Sequence, residues 1–515
     1  MPRIRRLLIA NRGEIALRIL RTARAIGIES VVAHSEADAA SLPVRLADGS
    51  VLLGPAAARE SYLSVERILT AAVASRCDAV HPGYGFLSER AELAEAVERA
   101  GLIYVGPTAD NVRFLGDKLE ARRNLAGLVS VVPGETAALA DPAALRAAAE
   151  RIGYPLLLKA ASGGGGRGIR RIASPADLEA AFRLSSSEAQ GAFGAGDVFA
   201  EKFVERARHV EVQIVGDGLG GVRVYPERDC SLQRRYQKLF EETPCPVMRP
   251  DVLEKLLEAA ARIGRAARYR GAGTVEFLLE ESERFYFLEV NTRLQVEHPI
   301  TEAVSGDDLV ALQIAVAEGR SFFQAMEVAP WRGAAVELRI NAEDPARGFR
   351  PEIGRVHAVR LPAGPGVRID TALEEGLVVT PHYDSLLAKL IAFGPDRTTA
   401  LRRLEAAGAE LCIDGPATTL ALLRPLLRCE EFLAGRVHTK LLEELLERPS
   451  FLKPDLEKFD AAALATVAAK LREAGSGPAA PFAPSVQRRP DGWSDAARLP
   501  FALQDGSEVG EEASR

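Results

Sequence analysis

The chain has 515 residues, 47% of them hydrophobic, and 65 Lys+Arg against 71 Asp+Glu leave a formal net charge of -6. This length exceeds one compact domain and predicts about three, with enough apolar residues for a core that needs no staples. The large and balanced population of both charges argues against a dedicated nucleic-acid or membrane surface, so a small molecule or another protein is the expected partner.

The chain opens on M-P-R-I-R-R-L-L-I-A-N-R, which carries charge but no adequate apolar h-region, and no window approaches a membrane span. The expected location is therefore cytoplasmic. Leu7 to Ala10 reads as a strand, Asn11-Arg12-Gly13 as a turn, Glu14 to Ala25 as a helix and Val31 to His34 as the next strand. That is a βαβ start. A dinucleotide fold would carry G-x-G-x-x-G at this turn, where only Gly13 is present, so the reading is of Rossmann-like topology without its cofactor. The first domain is expected to close near Gly116. It includes the loop His81-Pro-Gly-Tyr-Gly-Phe-Leu-Ser-Glu89, whose tyrosine and glutamate have no obvious place to be buried.

From Asp117 short strands and helices alternate. Lys159 ends the apolar run Leu156 to Leu158, and a glycine tract follows with Arg167 at its far edge. Glycines let backbone N–H groups approach an anion, and a cation at each edge favours phosphate. No G-K-[S/T] opens a helix afterwards, so the tract is not a P-loop. In Val198 to Glu205 an apolar strand ends in alternating charge, and Arg208 to Gln213 alternates as a half-buried strand should. The segment Glu227 to Lys238 gathers cations and amides that a surface cluster could equally explain.

The stretch F-L-E-V-N-T-R-L-Q-V-E-H-P is the most informative. Glu289, Asn291, Arg293, Gln295 and Glu297 recur at every second residue and share one face of an extended chain, with Leu288, Val290, Leu294 and Val296 on the other. A straight strand would spread the five over about 26 Å, too far for them to meet at one atom. Glu276, in Gly271 to Phe277, can pair with Glu289 across a sheet. With Asn291 the two acids form a hard oxygen set suited to Mg²⁺ or Mn²⁺. Glycine loop, lysines and oxygen ligands together point to ATP.

A third region begins near Gly333, with strands expected at Ala335 to Ile340 and Leu386 to Phe393 and helices beyond Arg397. Five scattered cysteines without C-x-x-C spacing indicate neither a disulfide framework nor a zinc site. Past Pro449 come an Ala-rich helix around Ala461 to Glu473, a Gly/Pro-rich linker and an acidic tip expected to be disordered.

The strings A-N-R-G-E-I-A-L-R, H-P-G-Y-G-F-L-S-E, G-D-K, G-G-G-G-R-G, E-R-D-C-S-L-Q-R-R, N-T-R-L-Q-V-E-H and H-Y-D-S-L-L-A-K-L, in order from about Arg3 to Pro449, closely resemble biotin carboxylase, an ATP-grasp enzyme. The resemblance implies an α/β chain. Residues 1–116 would be a Rossmann-like pre-ATP-grasp domain and 117–330 the ATP-grasp domain, with a lid at about 132–204. A mixed α/β C-terminal biotin carboxylase domain would fill 331–450, followed by an extension over 451–515.

It also implies the site. Lys118 and Lys159 would lie on ATP phosphates, with Gly164, Gly165 and Gly166 in the closing loop. Glu201, Lys202, Phe203, Val204, His209, Gln233 and His438 would surround the nucleoside, with Tyr236 also against the nucleotide. Glu276, Glu289 and Asn291 would take two divalent ions. Bicarbonate would sit against Lys238, Arg293, Gln295, Arg339 and the backbone of Val296. Glu297 would deprotonate it, and Arg339 would stabilise a biotin enolate near Tyr84. Two departures stand out: Tyr236 replaces the family's usual histidine, and Ile169 replaces a methionine beside the adenine.

Only Met1, Met248 and Met326 are present and none adjoins a lysine, so an A-M-K-M acceptor is missing and biotin is expected from another polypeptide or as the free molecule. The implied partners are a biotin carboxyl carrier protein and carboxyltransferase subunits of an acyl-CoA or pyruvate carboxylase. Trp493 and Phe501 in the tail are a candidate docking segment. Family members often form homodimers, although no interface is evident in the sequence itself.

Overall fold

A computed structural model describes residues 4–161, 169–193, 196–321 and 326–452, all within a compact unit spanning Met1–Lys453. The glycines Gly164, Gly165 and Gly166, and the predicted features of 453–515, lie outside the described residues.

Five strands, β1 (Arg6–Ile9), β2 (Glu29–Ser35), β3 (Gly49–Gly54), β4 (Ala79–His81) and β5 (Ile103–Tyr104), form an all-parallel sheet in the order β3-β2-β1-β4-β5. Parallel sheets are covered on both faces, and Leu7, Leu8 and Ile9 are accordingly all fully buried. Gly13 starts the first helix, Gly13–Ala25, at φ 63°, a left-handed backbone that glycine adopts without strain. The helix packs Ile15, Leu17, Ile19 and Leu20 into the core, as the βαβ reading expects.

Three antiparallel strands, β6 (Leu156–Ala160), β7 (Arg170–Ile172) and β8 (Val198–Lys202), make a small sheet in the order β7-β6-β8 with its own apolar core. It falls inside the expected lid.

A ten-stranded sheet forms the centre. Its members are β9 (Arg208–Asp217), β10 (Val222–Val224), β11 (Arg228–Arg234), β12 (Gln237–Thr243), β13 (Arg270–Leu279), β14 (Phe285–Asn291), β15 (Glu327–Val328), β16 (Ala334–Asn341), β17 (Val367–Thr371) and β18 (Leu386–Gly394). The main path runs β14-β13-β9-β11-β12-β16-β18-β17, with β10 paired to β9 and β15. The sheet passes without a break from the middle region into the third, because β12 pairs with β16 from Phe240↔Leu338 to Thr243↔Ala335.

Two sequence expectations are corrected here. The alternation in Arg208 to Gln213 predicts a half-exposed strand, yet Glu211 and Gln213 are fully buried. Strand β9 lies between β13 and β11, and its polar face is covered by Arg228 and Lys238 instead of water. The face assignment of Leu288 and Val296 also changes, since both line the same cavity as Glu289. At Leu288 the cause is a bulge: Glu276 pairs with Glu289 but Phe277 with Phe287, leaving Leu288 unpaired, and such an extra residue re-aims neighbouring side chains.

Strand β14 ends at Asn291, and Glu297 stands at the N-cap of the next helix, His298–Ser305. The track from Glu289 to Glu297 therefore leaves the sheet after Asn291 and bends, as its chemistry requires.

Candidate active site

The bend brings together groups that a straight strand would keep far apart. Lys238, near the start of β12, places its Nζ 2.5 Å from Glu211, 2.9 Å from Glu276 and 2.7 Å from Glu297. Arg339 on β16 donates from Nη2 to Glu297 at 2.9 Å and from Nε to Glu241 at 2.5 Å. The carboxylate opposite Glu289 in the sheet thus shares one ammonium with the carboxylate at the end of the track.

Electrostatics follow from burial. Burial alone would raise the Glu297 carboxyl, but Lys238, Arg339 and Arg228 overcome it and hold Glu297 well below the usual carboxylate range. Glu276 is likewise held low against its burial by Lys238 and His209. Burial would discharge Lys238, yet Glu211, Glu276 and Glu297 push its ammonium well above the ordinary value. His209 Nε2 lies 3.0 Å from Glu276, and that carboxylate raises the imidazole despite its burial. The result is a compact set of fixed opposite charges, the kind of preorganised field that stabilises charge developing in a reaction.

A cavity of about 420 Å³ opens above this set. It is lined by Tyr84, Lys118, Lys159, Ile169, Phe203, Val204, His209, Gln233, Tyr236, Lys238, Glu276, Glu289, Asn291, Arg293, Gln295, Val296 and Arg339. The lining combines apolar side chains, among them Ile169, Phe203 and Leu278, with the ionic groups. Lys118 pairs with Glu289, and Lys159 with Glu201. Four expected residues stand outside the lining. Glu297 is fully buried behind Lys238 and Arg339. Glu201 binds Lys159 and, at 3.1 Å, Arg122. Lys202 donates to the Tyr154 carbonyl at 3.0 Å. His438 is buried with its Nε2 3.6 Å from Glu444, although its neighbour Thr439 reaches the cavity.

The donors fit a hard divalent ion. Glu276 and Glu289 are directly paired on antiparallel strands, where Cβ atoms stand roughly 5 Å apart, so both carboxylates can reach one ion. Asn291 follows two residues on, its Oδ1 accepting from Arg293 Nη2 at 3.2 Å. An all-oxygen set suits Mg²⁺ or Mn²⁺. The groups His209, Glu211, Glu276 and Glu211, Cys230, Glu297 are also close enough to share an ion, but each brings in a nitrogen or sulfur donor, whereas Glu276, Glu289 and Asn291 offer the oxygens that Mg²⁺ or Mn²⁺ prefers.

Several contributors escape sequence reasoning. Arg228 is fully buried and bonds Glu211, Gln213, Thr274 and Thr301, whereas its neighbourhood reads as a charged surface. Glu89 of the glycine-rich loop lies 3.1 Å from Arg293 and accepts from the Thr292 amide at 3.2 Å. Its placement beside an otherwise unexplained tyrosine was the available signal. The loop itself is held by Asn11, whose Nδ2 donates to the Pro82 and Tyr84 carbonyls at 2.7 Å each. Gly83 must stay small there, because a Cβ would meet that Nδ2 at 2.8 Å.

Comparison with known proteins agrees with this geometry. Residues 3–112 match the biotin carboxylase N-terminal domain, 117–324 the ATP-binding domain of the carbamoyl-phosphate synthase L chain, and 337–444 the biotin carboxylase C-terminal domain. A biotin carboxylase of Nostoc sp. is 45% identical over 442 residues, covering 85% of this chain and 99% of that protein. Biotin carboxylase 1 of Bacillus subtilis is 44% identical over 443 residues, covering 85% and 98%. Among solved structures, a biotin carboxylase ATP complex from Campylobacter jejuni superposes with TM-score 0.83 at 40% identity, covering 86% of this chain and 99% of its own. The biotin carboxylase domain dimer of Hydrogenobacter thermophilus 2-oxoglutarate carboxylase, solved with MgADP, ADP and bicarbonate, gives 0.85 at 38% identity, covering 88% and 100%. The chain belongs to the biotin carboxylase family.

Proposed function

We propose that the cavity carries out ATP- and bicarbonate-dependent carboxylation of biotin, with the residues in the roles their positions suit. The observation that carries this reading is the meeting of Glu276 and Glu297 on Lys238, with Arg339 on Glu297, beside a cavity that also carries apolar side chains. The apolar side chains Ile169 and Phe203 take the adenine, leaving the phosphates to Lys118 and Lys159. Glu276, Glu289 and Asn291 would hold Mg²⁺ or Mn²⁺, which neutralises charge on the phosphates when bound. Glycines 164–166 are assigned to the phosphates by resemblance alone, and Glu201, Lys202 and His438 to supporting the nucleotide-binding wall.

Bicarbonate takes the place between Arg293, Gln295, the Val296 backbone and Lys238. Glu297 accepts its proton as a bicarbonate oxygen attacks the γ-phosphorus and the bond to ADP breaks. The carboxyphosphate formed splits into CO₂ and phosphate. That phosphate removes the biotin N1′ proton, and the nitrogen attacks CO₂ while Arg339 stabilises the enolate oxygen beside Tyr84. The three regions 1–116, 117–330 and 331–450 act as one enzyme, with residues about 132–204 as lid. Biotin arrives on a separate carrier protein, carboxyltransferase subunits take the product, and the working form is a cytoplasmic homodimer. No helix among the described residues is long and apolar enough to cross a membrane.

The test is ADP release from ATP and Mg²⁺. It is expected to require bicarbonate and to rise with free biotin; ADP release indifferent to bicarbonate would reject the reading.

A further inference from the structure

Four of the sequence strings converge on a single buried ammonium for which the roles above have no use. Lys389, on β18, has a fully buried side chain. Its Nζ donates to the Val296 carbonyl at 3.0 Å and lies 3.1 Å from Glu14 and 3.6 Å from Asp370. The Val296 carbonyl and Glu14 lie within hydrogen-bond reach of this ammonium, and Asp370 adds a second, longer ion pair. Glu14 in turn accepts the Tyr84 hydroxyl. One cation therefore connects the tyrosine at the biotin end of the cavity to the peptide that precedes Glu297.

The neighbouring peptide is held from the same side. His298 Nδ1 lies 2.8 Å from the Gln295 carbonyl, to which it can only donate. Burial, with Lys389 nearby, keeps the imidazole neutral. In a trans peptide the C=O and N–H point in opposite directions. Fixing the Gln295 carbonyl therefore fixes the direction of the Val296 N–H, and fixing the Val296 carbonyl does the same for the Glu297 N–H.

We propose that Lys389 is a positioning residue for biotin carboxylation: it pins the Val296–Glu297 peptide directly and the Tyr84 hydroxyl through Glu14, keeping the bicarbonate and biotin ends of the cavity in register. This rests on the function proposed above. Lys389 touches no substrate in this scheme. Its loss shifts bicarbonate and biotin handling and leaves the nucleotide end, built on β6, β8 and β9, in place.

Lys389→Met and Glu14→Gln test this in the full chain, with KM for bicarbonate, KM for ATP, stimulation of ADP release by free biotin, and the thermal midpoint all measured. Lys389→Met is expected to raise the bicarbonate KM about tenfold or more with the ATP KM within about twofold. Glu14→Gln keeps an acceptor for Tyr84 but loses the charge, and is expected to lower biotin stimulation about threefold. A purely structural role would instead lower the thermal midpoint and the active fraction without separating the two KM values. If Lys389→Met does not fold, Glu14→Gln decides: unchanged biotin stimulation in that folded variant overturns the proposal. So does an unchanged bicarbonate KM in folded Lys389→Met. Wild-type enzyme lacking bicarbonate dependence would instead overturn the functional reading on which the role rests.

Discussion

The N-terminal parallel sheet and the central mixed sheet are built on opposite terms. In the first, Leu7, Leu8 and Ile9 of β1 are all fully buried in an apolar interior that also holds Tyr62 and Tyr104. In the second, β9, β11, β12 and β16 enclose Glu211, Gln213, Arg228, Glu241 and Glu337, all fully buried as well. An apolar interior stabilises by burial. A charged one contributes little net stability, because desolvation offsets the attraction, but it holds a dense field in fixed directions. On the proposed function, the first sheet is a support and the second holds the reacting groups.

The largest expected effect comes from breaking one side of the contrast. Arg228→Met leaves Glu211 and Gln213 buried without their partner and is expected to cost roughly 3–5 kcal/mol by chemical denaturation. It should also lower turnover well below the unfolding midpoint, because Glu211 is shared with Lys238. Leu8→Ala in the parallel sheet is expected to cost a comparable 2–5 kcal/mol or so with turnover per folded molecule unchanged. Equal activity losses in the two variants would erase the distinction.

A smaller effect is pH dependence. Burial pushes the Glu227 carboxyl up to about 7, although the Cys245 amide, donating at 3.0 Å, opposes the shift. Its folded value lies above its unfolded one, so its stabilising contribution is present at low pH and lost as pH rises toward 7, by roughly 3 kcal/mol at most. Glu227→Gln should remove that part of the slope between about pH 4.5 and 7, measured as the difference in unfolding free energy between variant and wild type. A slope identical to wild type would contradict it.

The smallest is Tyr236→His. Tyr236 lines the cavity, with the Lys440 ammonium 5.4 Å from its ring centre. Restoring the family's usual histidine is expected to change the KM for ATP by less than about tenfold with turnover preserved.

Much of this contrast was legible from the residues, and what was not has a physical cause. The βαβ start and the Glu276↔Glu289 pairing follow from periodicity and turn chemistry, and the reach of an extended chain already makes a straight track from Glu289 to Glu297 too long for its groups to meet. The buried polar face of β9 does not, because alternation reads the same whether water or Arg228 covers it. The Leu288 bulge shifts one residue against its partner strand and leaves no mark in composition. Lys389 and Glu14 stand in quoted strings, but their meeting depends on packing a helix near the start of the chain against a strand near its end.

The folded-back track sets Glu297 beside Lys238, where the proposed function makes it the group that deprotonates bicarbonate. The most direct test compares Glu297→Ala with wild type for transfer of labelled bicarbonate to free biotin, alongside nucleotide binding measured separately. Transfer is expected to be lost by about a hundredfold or more while ATP affinity stays within about threefold. Transfer retained within a few-fold of wild type would contradict it.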